Sequence, residues 1–475
     1  MTHVLIIGAY GSAGVAVANA LADADVRLTL VDDDEPGGLC ILRGCMPSKE
    51  VLSAAAHRFQ ARHDDRLSAS IPSVALERTV ETKDEHVAEF GAHRREAVRK
   101  LTDQTGVEFI HDTAQFVDDH TVAVGEREIT PDYVVVATGS KPSIPELPGI
   151  DDVEFMTSAD VLDATGFPDS GIVMGFGAVG IELVPYLAEA GDVDLTVIEH
   201  DDRPLDGHDA LFGDELLSLY REKFDVDIRT NTRERALETT EQGVRLTVEE
   251  GGTTRTIDAE ELFVFTGRQP ALDGLRLERT AIEPSGEWVQ DTMQTRDDER
   301  TFVVGDANDR EPILHVAKEQ GHRAADNILR HRDGRSLRSY ENVTHRVVFA
   351  GLGVYPIVRV GHTAASARTA NIEHITVDRH ANDDGVFTTK DAPEGLARLV
   401  VNTDGTVLGY QGLHYHADVM AKTMQIVIEN EMDVENIPDR AYHPTTPEIL
   451  DGLLREAKQL LSERETDATE PTNGR

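Results

Sequence analysis

The chain has 475 residues, 87 of them acidic and 46 basic, for a formal net charge of −41; at roughly 150 residues per domain this length suggests about three domains. The acids are spread along the whole chain, so nucleic-acid backbones and anionic membrane surfaces are both repelled, while an apolar fraction of 40 % argues for a globular protein. Two cysteines, Cys40 and Cys45, are too few for a secreted disulfide scaffold or a four-cysteine zinc centre, and no metal site is expected.

Taken in order, His3 to Gly8 reads as a short buried strand, with Val4, Leu5, Ile6 and Ile7 apolar, that runs into GAYGSAG and an alanine-rich helix from about Ser12 to Asp23. A second strand, Val26 to Val31, ends at Asp32. Strand, glycine turn, helix, strand and acid make the layout of a dinucleotide-binding unit. Helices are expected over 51–63 and 86–104, then short strands to Pro131 and the buried strand of YVVVATGSKP. The layout recurs at 172–199: a strand, GFGAVG, a helix over 181–190, and a strand ending at Glu199. From first glycine to acid the span is 24 residues in both copies. One fingerprint is a weak signal; two with equal spacing are strong. Helices follow over 211–224 and 314–328, separated by short strands, LFVFTGR and TFVVGDAN. From about Tyr340 alternating strands, a Thr403-Asp404-Gly405 hairpin turn and a helix over 418–430 indicate a separate α+β domain. Residues beyond about 463 read as a frayed polar tail.

The N-terminal residues lack a secretion pattern, and no apolar run nears the ~18 residues of a membrane span. A soluble, cytoplasmic protein is expected, with neither membrane nor nucleic acid as partner. Only nine of the basic residues are lysine. Many acids with few lysines suggest solubility in concentrated salt, a halophilic trait; an ordinary acidic enzyme is the alternative.

Gly8, Gly11 and Gly14 let the backbone approach a pyrophosphate at a helix N-terminus, and Asp32 can accept bonds from a ribose. Tyr10 lengthens this turn beyond the usual G-x-G-x-x-G, leaving the loop path open. Gly175, Gly177 and Gly180 match without insertion, and Glu199 favours NAD over NADP because a carboxylate repels a 2′-phosphate. Arg203 nearby weakens that preference, and Pro185 should bend its helix. The cysteines stand in GGLCILRGCMPSKE. A helical segment between them would bring the thiols together across about one turn. Inert buried thiols and half of a metal site are the alternative readings.

With these motifs in view, the sequence resembles the flavin-dependent pyridine nucleotide–disulfide oxidoreductases, and among them the dihydrolipoyl dehydrogenases. Fingerprint, GG-x-C-x4-C-x-PSK, ATGS, second fingerprint, TGR-x-P, GD and HP-x-x-x-E occur in order over essentially the whole chain. The resemblance implies an α/β fold: two Rossmann-like domains binding FAD and NAD plus a C-terminal α+β dimerisation domain. It divides the chain into 1–150 and 271–339 (FAD and central), 151–270 (NAD), 340–463 (interface) and the tail 464–475.

The resemblance further implies that Cys40 is the interchange thiol and that Cys45 lies against the flavin. Lys49 would tune the flavin, with Gly38, Thr138, Gly139, Asp306, Leu314 and His315 beside the same cofactor. Glu182, Gly267 and Arg268 would join the second fingerprint at NAD. His443 and Glu448 match the acid–base pair, contributed across a homodimer interface. Chemistry supports that last pairing: a thiol of pKa about 8.5 needs a nearby base, and a carboxylate orients the imidazole. The implied reaction is oxidation of dihydrolipoyl groups on a lipoylated domain of a 2-oxoacid dehydrogenase or glycine cleavage complex, with NAD reduced. A related reductase of a small disulfide, or a flavoprotein paralogue of low activity, are the alternatives. The chain departs from the family at Ile41-Leu42-Arg43-Gly44, at Ala271 and at Ala441, where a histidine is usual. Arg43 either lowers a thiol pKa or is simply solvated.

Overall fold

The computed structural model describes residues 1–440 and 442–469, so Ala441 and the polar residues 470–475 lie outside the described residues. The chain divides into two compact units. The first comprises Met1–Val51, Glu77–Ile144 and Gly267–Asn342; the second comprises Leu52–Leu76, Pro145–Thr266 and Val343–Arg475. The α/β fold expected from the sequence is the one observed.

A parallel five-stranded sheet forms the centre of the first unit, in the order Thr301–Val303, Tyr133–Val136, Thr2–Ile7, Val26–Val31, Val107–Ile110. Its strands are apolar on both faces because both are covered. Val4 and Ile6 pack with Val17, Leu21 and Ile328, whereas Leu5 and Ile7 pack with Phe116, Val122 and Trp288. The helices Ser12–Leu21 and Leu314–Arg332 lie closely together, and a Cβ on Gly321 would stand 2.7 Å from the Ala13 carbonyl oxygen.

The second unit repeats the parallel theme with Asp227–Arg229, Asp194–Ile198, Ser170–Met174 and Glu261–Val264. The antiparallel strands Thr232–Thr240, Gly243–Glu250 and Thr253–Ala259 follow. Its C-terminal part is a five-stranded antiparallel sheet, ordered His345–Val348, Ile357–Gly361, Val407–His414, Gly395–Asn402, His374–His380. The helices Ala417–Glu429 and Glu448–Thr469 bury Met420, Met424, Leu450 and Leu453 against it.

Several boundaries differ from those read in the sequence. The helix expected from residue 51 begins at Cys45, and the one expected from 86 begins at Leu76. Pro185 lies inside Ala178–Gly191, which continues on both sides of it. The expected tail is helical as far as Thr469. Among the described residues, no helix is long and apolar enough to cross a membrane.

Candidate functional site

The two glycine turns are variants of one design. Gly11 and Gly177 are the N-cap residues of their helices, with Val15 and Ile181 donating to their carbonyls. A Cβ on Gly14 would stand 2.2 Å from the Gly8 oxygen, and one on Gly180 would stand 2.4 Å from the Gly175 oxygen. The third glycine thus tucks the helix under the first carbonyl in both turns. Tyr10 is the inserted residue of the first. Its N–H donates to Asp32 Oδ2 at 2.7 Å, and its ring packs on Phe109 with centroids 4.9 Å apart. The longer turn therefore preserves the helix approach. Neither helix N-terminus carries a side-chain cap, which leaves its first amides to a dinucleotide.

Asp32 also accepts from Asp34 N at 3.1 Å, and burial raises its carboxyl above the ordinary value. Burial likewise raises Glu199, whose Oε1 accepts from Asp201 N at 3.1 Å. Arg203 is drawn away from a cofactor role by ion pairs to Asp214 at 2.6 Å and to Asp202. Glu182 Oε1 accepts the Phe349 N–H at 3.1 Å within the same unit.

The cysteines sit on two successive helices rather than on one, which corrects the continuous turn considered from sequence. Gly38–Leu42 ends at Arg43 (φ −141°, ψ 18°), and Cys45–His63 begins two residues later. Gly44 permits the break: a Cβ there would lie 2.8 Å from the Leu39 oxygen and 3.1 Å from the Cys40 Cα. Gly38 adopts φ +66°, where a Cβ would reach the Gly11 Cα at 2.9 Å, so the first of these helices rests on the fingerprint turn. Cys40 is half-buried and Cys45 exposed. The hydrogen bond between the two thiols, then burial, pushes Cys40 far above the ordinary thiol range, while Lys318 opposes the shift. The two thiols therefore interact directly and share one hydrogen bond. Cys45 heads a 19-residue helix, where the partial positive charge favours a thiolate. Arg43 pairs with Asp34 at 3.3 Å, both about half exposed, which answers the question over its role in favour of the solvated surface.

Ser140 Oγ donates to Asp306 Oδ2 at 2.7 Å, and Arg268 donates to Ser140 Oγ at 2.9 Å and to its carbonyl at 2.6 Å. Gly267 and Arg268 fall in the first unit, where Arg268 is bonded to Ser140. Burial lowers the Arg268 pKa. Thr138 Oγ1 is buried without a hydrogen-bond partner, and Gly139 at φ +71° faces open space. An orphaned hydroxyl beside an open glycine fits a bound polar cofactor. Lys49 Nζ donates to Ser48 Oγ at 3.2 Å. Leu314 and His315 open the helix Leu314–Arg332.

Sequence reading passed over Ser140 and Gln320. Gln320 Oε1 accepts from Gly305 N at 2.8 Å and from Asn308 Nδ2 at 2.9 Å, holding the turn that carries Asp306. Its signal was faint: a polar residue on the apolar stripe of a helix. Arg94 was also passed over; it reaches Ser12 Oγ at 3.4 Å, at the start of the first fingerprint helix.

In the second unit, His443 Nδ1 lies 3.1 Å from both carboxylate oxygens of Glu448. Thr445 N donates to Glu448 Oε1 at 2.9 Å. That bond first, and His443 second, hold the Glu448 carboxyl below the ordinary range. The His443 side chain is 82 % exposed. With Nδ1 engaged by Glu448, Nε2 is the ring nitrogen left for other contacts. His416 Nδ1, 3.1 Å from Thr446 Oγ1, braces the intervening turn.

Paired thiols, two dinucleotide turns and an oriented imidazole define a nucleotide-linked thiol–disulfide redox protein. The chain belongs to the pyridine nucleotide-disulphide oxidoreductases, whose sequence pattern matches residues 2–321, with the dimerisation domain of that family matching 346–453. It is an FAD-dependent disulfide oxidoreductase of that family, and its cofactors are FAD and a nicotinamide dinucleotide. The chain is similar to dihydrolipoyl dehydrogenase 2 of Haloarcula marismortui, 29 % identical over 471 residues that span 94 % of this chain and 95 % of the relative. It is also similar to mercuric reductase of Shigella flexneri, 27 % identical over 471 residues, 95 % of this chain and 79 % of the relative. In fold it matches the HOCl-induced flavoprotein disulfide reductase RclA of Escherichia coli, with a TM-score of 0.79 and 21 % identity over 96 % of this chain and 99 % of that one.

Proposed function

We propose that the protein is a cytoplasmic, homodimeric dihydrolipoyl dehydrogenase that oxidises dihydrolipoyl groups on a lipoylated domain of a 2-oxoacid dehydrogenase or glycine cleavage complex and reduces NAD. The observation that carries this reading is the placement of two interacting thiols, a half-buried Cys40 and an exposed Cys45 at the head of a long helix, with the first of their helices resting on the fingerprint turn. Full-length similarity to dihydrolipoyl dehydrogenases supports the choice of substrate.

In this reading residues 1–150 and 271–339 hold FAD, 151–270 hold NAD, and 340–463 form the dimer interface. FAD would rest on Gly8, Gly11, Gly14, Asp32, Gly38, Lys49, Thr138, Gly139, Asp306, Leu314 and His315. NAD would rest on Gly175, Gly177, Gly180, Glu182, Glu199, Gly267 and Arg268, and the pairing of Arg203 with two aspartates supports NAD over NADP. When bound, the flavin supplies the electron link between the thiols and the nicotinamide. His443 Nε2 from the partner subunit takes the proton of the substrate dithiol, and Glu448 stabilises the resulting imidazolium. The attacking thiolate meets an enzyme disulfide at Cys40, and exchange leaves Cys40 and Cys45 reduced while the substrate closes its own disulfide.

The test is steady-state turnover of the purified flavoprotein in molar KCl. Dihydrolipoamide with NAD is compared with NADP and with NADPH-driven reduction of small disulfides and of Hg(II). Dihydrolipoamide–NAD turnover is expected to dominate; rapid NADPH-driven reduction of another acceptor without lipoamide activity would select the rival reading, a small-disulfide or metal-ion reductase.

A further inference from the structure

We infer that His208, Arg346 and Arg359 form a binding site for one small inorganic anion such as chloride, separate from the redox site.

Arg346 and Arg359 are register partners on the antiparallel strands His345–Val348 and Ile357–Gly361. Directly opposed residues share a sheet face, and like charges placed so repel. In a chain of net charge −41 a carboxylate would be the expected neighbour. Among the described residues, neither guanidinium has one in an ion pair. Arg359 spends two donors on carbonyls, Nε on Gly361 at 3.3 Å and Nη1 on Gly207 at 2.5 Å.

His208 follows that carbonyl. Both of its ring nitrogens are buried, and neither makes a well-aligned hydrogen bond, the Leu205 carbonyl being the backbone acceptor that comes nearest to doing so. The groups whose fields reach the ring are Arg359, Arg346 and Asp209. Asp209 is already engaged: it accepts from Ala364 N at 3.0 Å, Ala365 N at 3.1 Å, Gln411 Nε2 at 2.7 Å and Arg398 at 3.1 Å. Burial, with the two arginines second, pushes His208 down to about 4, so the ring is neutral and presents one N–H.

Leu205 at φ +73° and Gly207 at φ +87° turn the loop here, and a Cβ on Gly207 would stand 2.9 Å from Arg359 Nη1. An exposed Arg346 and a half-buried Arg359, neither with a carboxylate partner, and a buried imidazole N–H are all donors. One anion satisfies all three and removes the repulsion between the arginines.

The holoenzyme is melted at fixed potassium concentration while chloride replaces gluconate, for the wild type, R346Q and R359Q. A saturable rise of a few degrees is expected in the wild type and not in either variant. Without chloride, each variant is expected to melt at or above the wild type, because the like-charge pair is gone. Crystals grown with bromide should show an anomalous peak within hydrogen-bond reach of His208 and both arginines. An equal chloride response in all three proteins, or no peak, would overturn the assignment. A peak with no chloride response in solution means an adventitious ion only and overturns it as well.

Discussion

His443 places Nδ1 midway between the two oxygens of Glu448, 3.1 Å from each, while the Thr445 amide fixes one of those oxygens at 2.9 Å. One short turn thus supplies a base, its orienting carboxylate and the anchor for that carboxylate.

His443→Gln should slow dithiol oxidation by roughly 10²–10⁴-fold, the usual contribution of a general base, without loss of flavin. Stopped-flow reduction by dihydrolipoamide reads this directly; near-normal rates would remove the assigned role.

Glu448 has its pKa lowered in the fold, so its ionised form is favoured there. The stabilising contribution is complete above the ordinary carboxylate value of about 4.3 and is lost only as pH falls through the depressed folded value. Glu448 should therefore remain a carboxylate throughout about pH 5 to 8, so its own titration causes no loss of rate in that range. Glu448→Gln should lower the rate across that range; a variant indistinguishable from wild type would show that the carboxylate does not orient the base.

Cys45→Ser should abolish the long-wavelength absorption of the partly reduced protein, whereas Cys40→Ser should retain it. An unchanged spectrum in Cys45→Ser would reverse the assignment of the two thiols.

Gly14→Ala and Gly180→Ala place a Cβ 2.2 Å and 2.4 Å from a backbone oxygen. The first should be purified with depleted flavin. The second should keep its flavin and raise KM for NAD on the order of tenfold or more, because the helix must withdraw from the dinucleotide. Equal effects on both cofactors would contradict the separate assignment of the two turns.

Much of this was legible in the sequence because it rests on local pattern. The apolar strands ending in Gly8 and Gly175 and the matched acids Asp32 and Glu199 follow from short spacings, and the pair His443–Glu448 from a family motif confined to six residues. What depends on distant partners was not. The break at Gly44 comes from close approach to Leu39 and Cys40, and the bond that absorbs Tyr10 comes from a residue 22 positions away. The bond from Arg268 to Ser140, 128 residues earlier, could not be read from its linear motif. The role of Gln320 likewise needs the turn of Asp306 folded beside it.

The net charge of −41 is legible in magnitude but acts only through its surroundings. The Debye length falls from ~30 Å at 0.01 M salt to ~3 Å at 1 M. Activity should rise with molar KCl and the dimer should dissociate on desalting, followed by light scattering. A dimer equally active at very low salt would contradict a halophilic reading of the acids.

The most direct measurement is anaerobic single-turnover reduction by a dihydrolipoyl-bearing protein domain, with NAD withheld. The proposed relay requires rapid reduction of one equivalent per active site in the wild type, absent from Cys40→Ser and followed by NADH formation when NAD is added. No reduction by the dithiol, or reduction undiminished in Cys40→Ser, would contradict it.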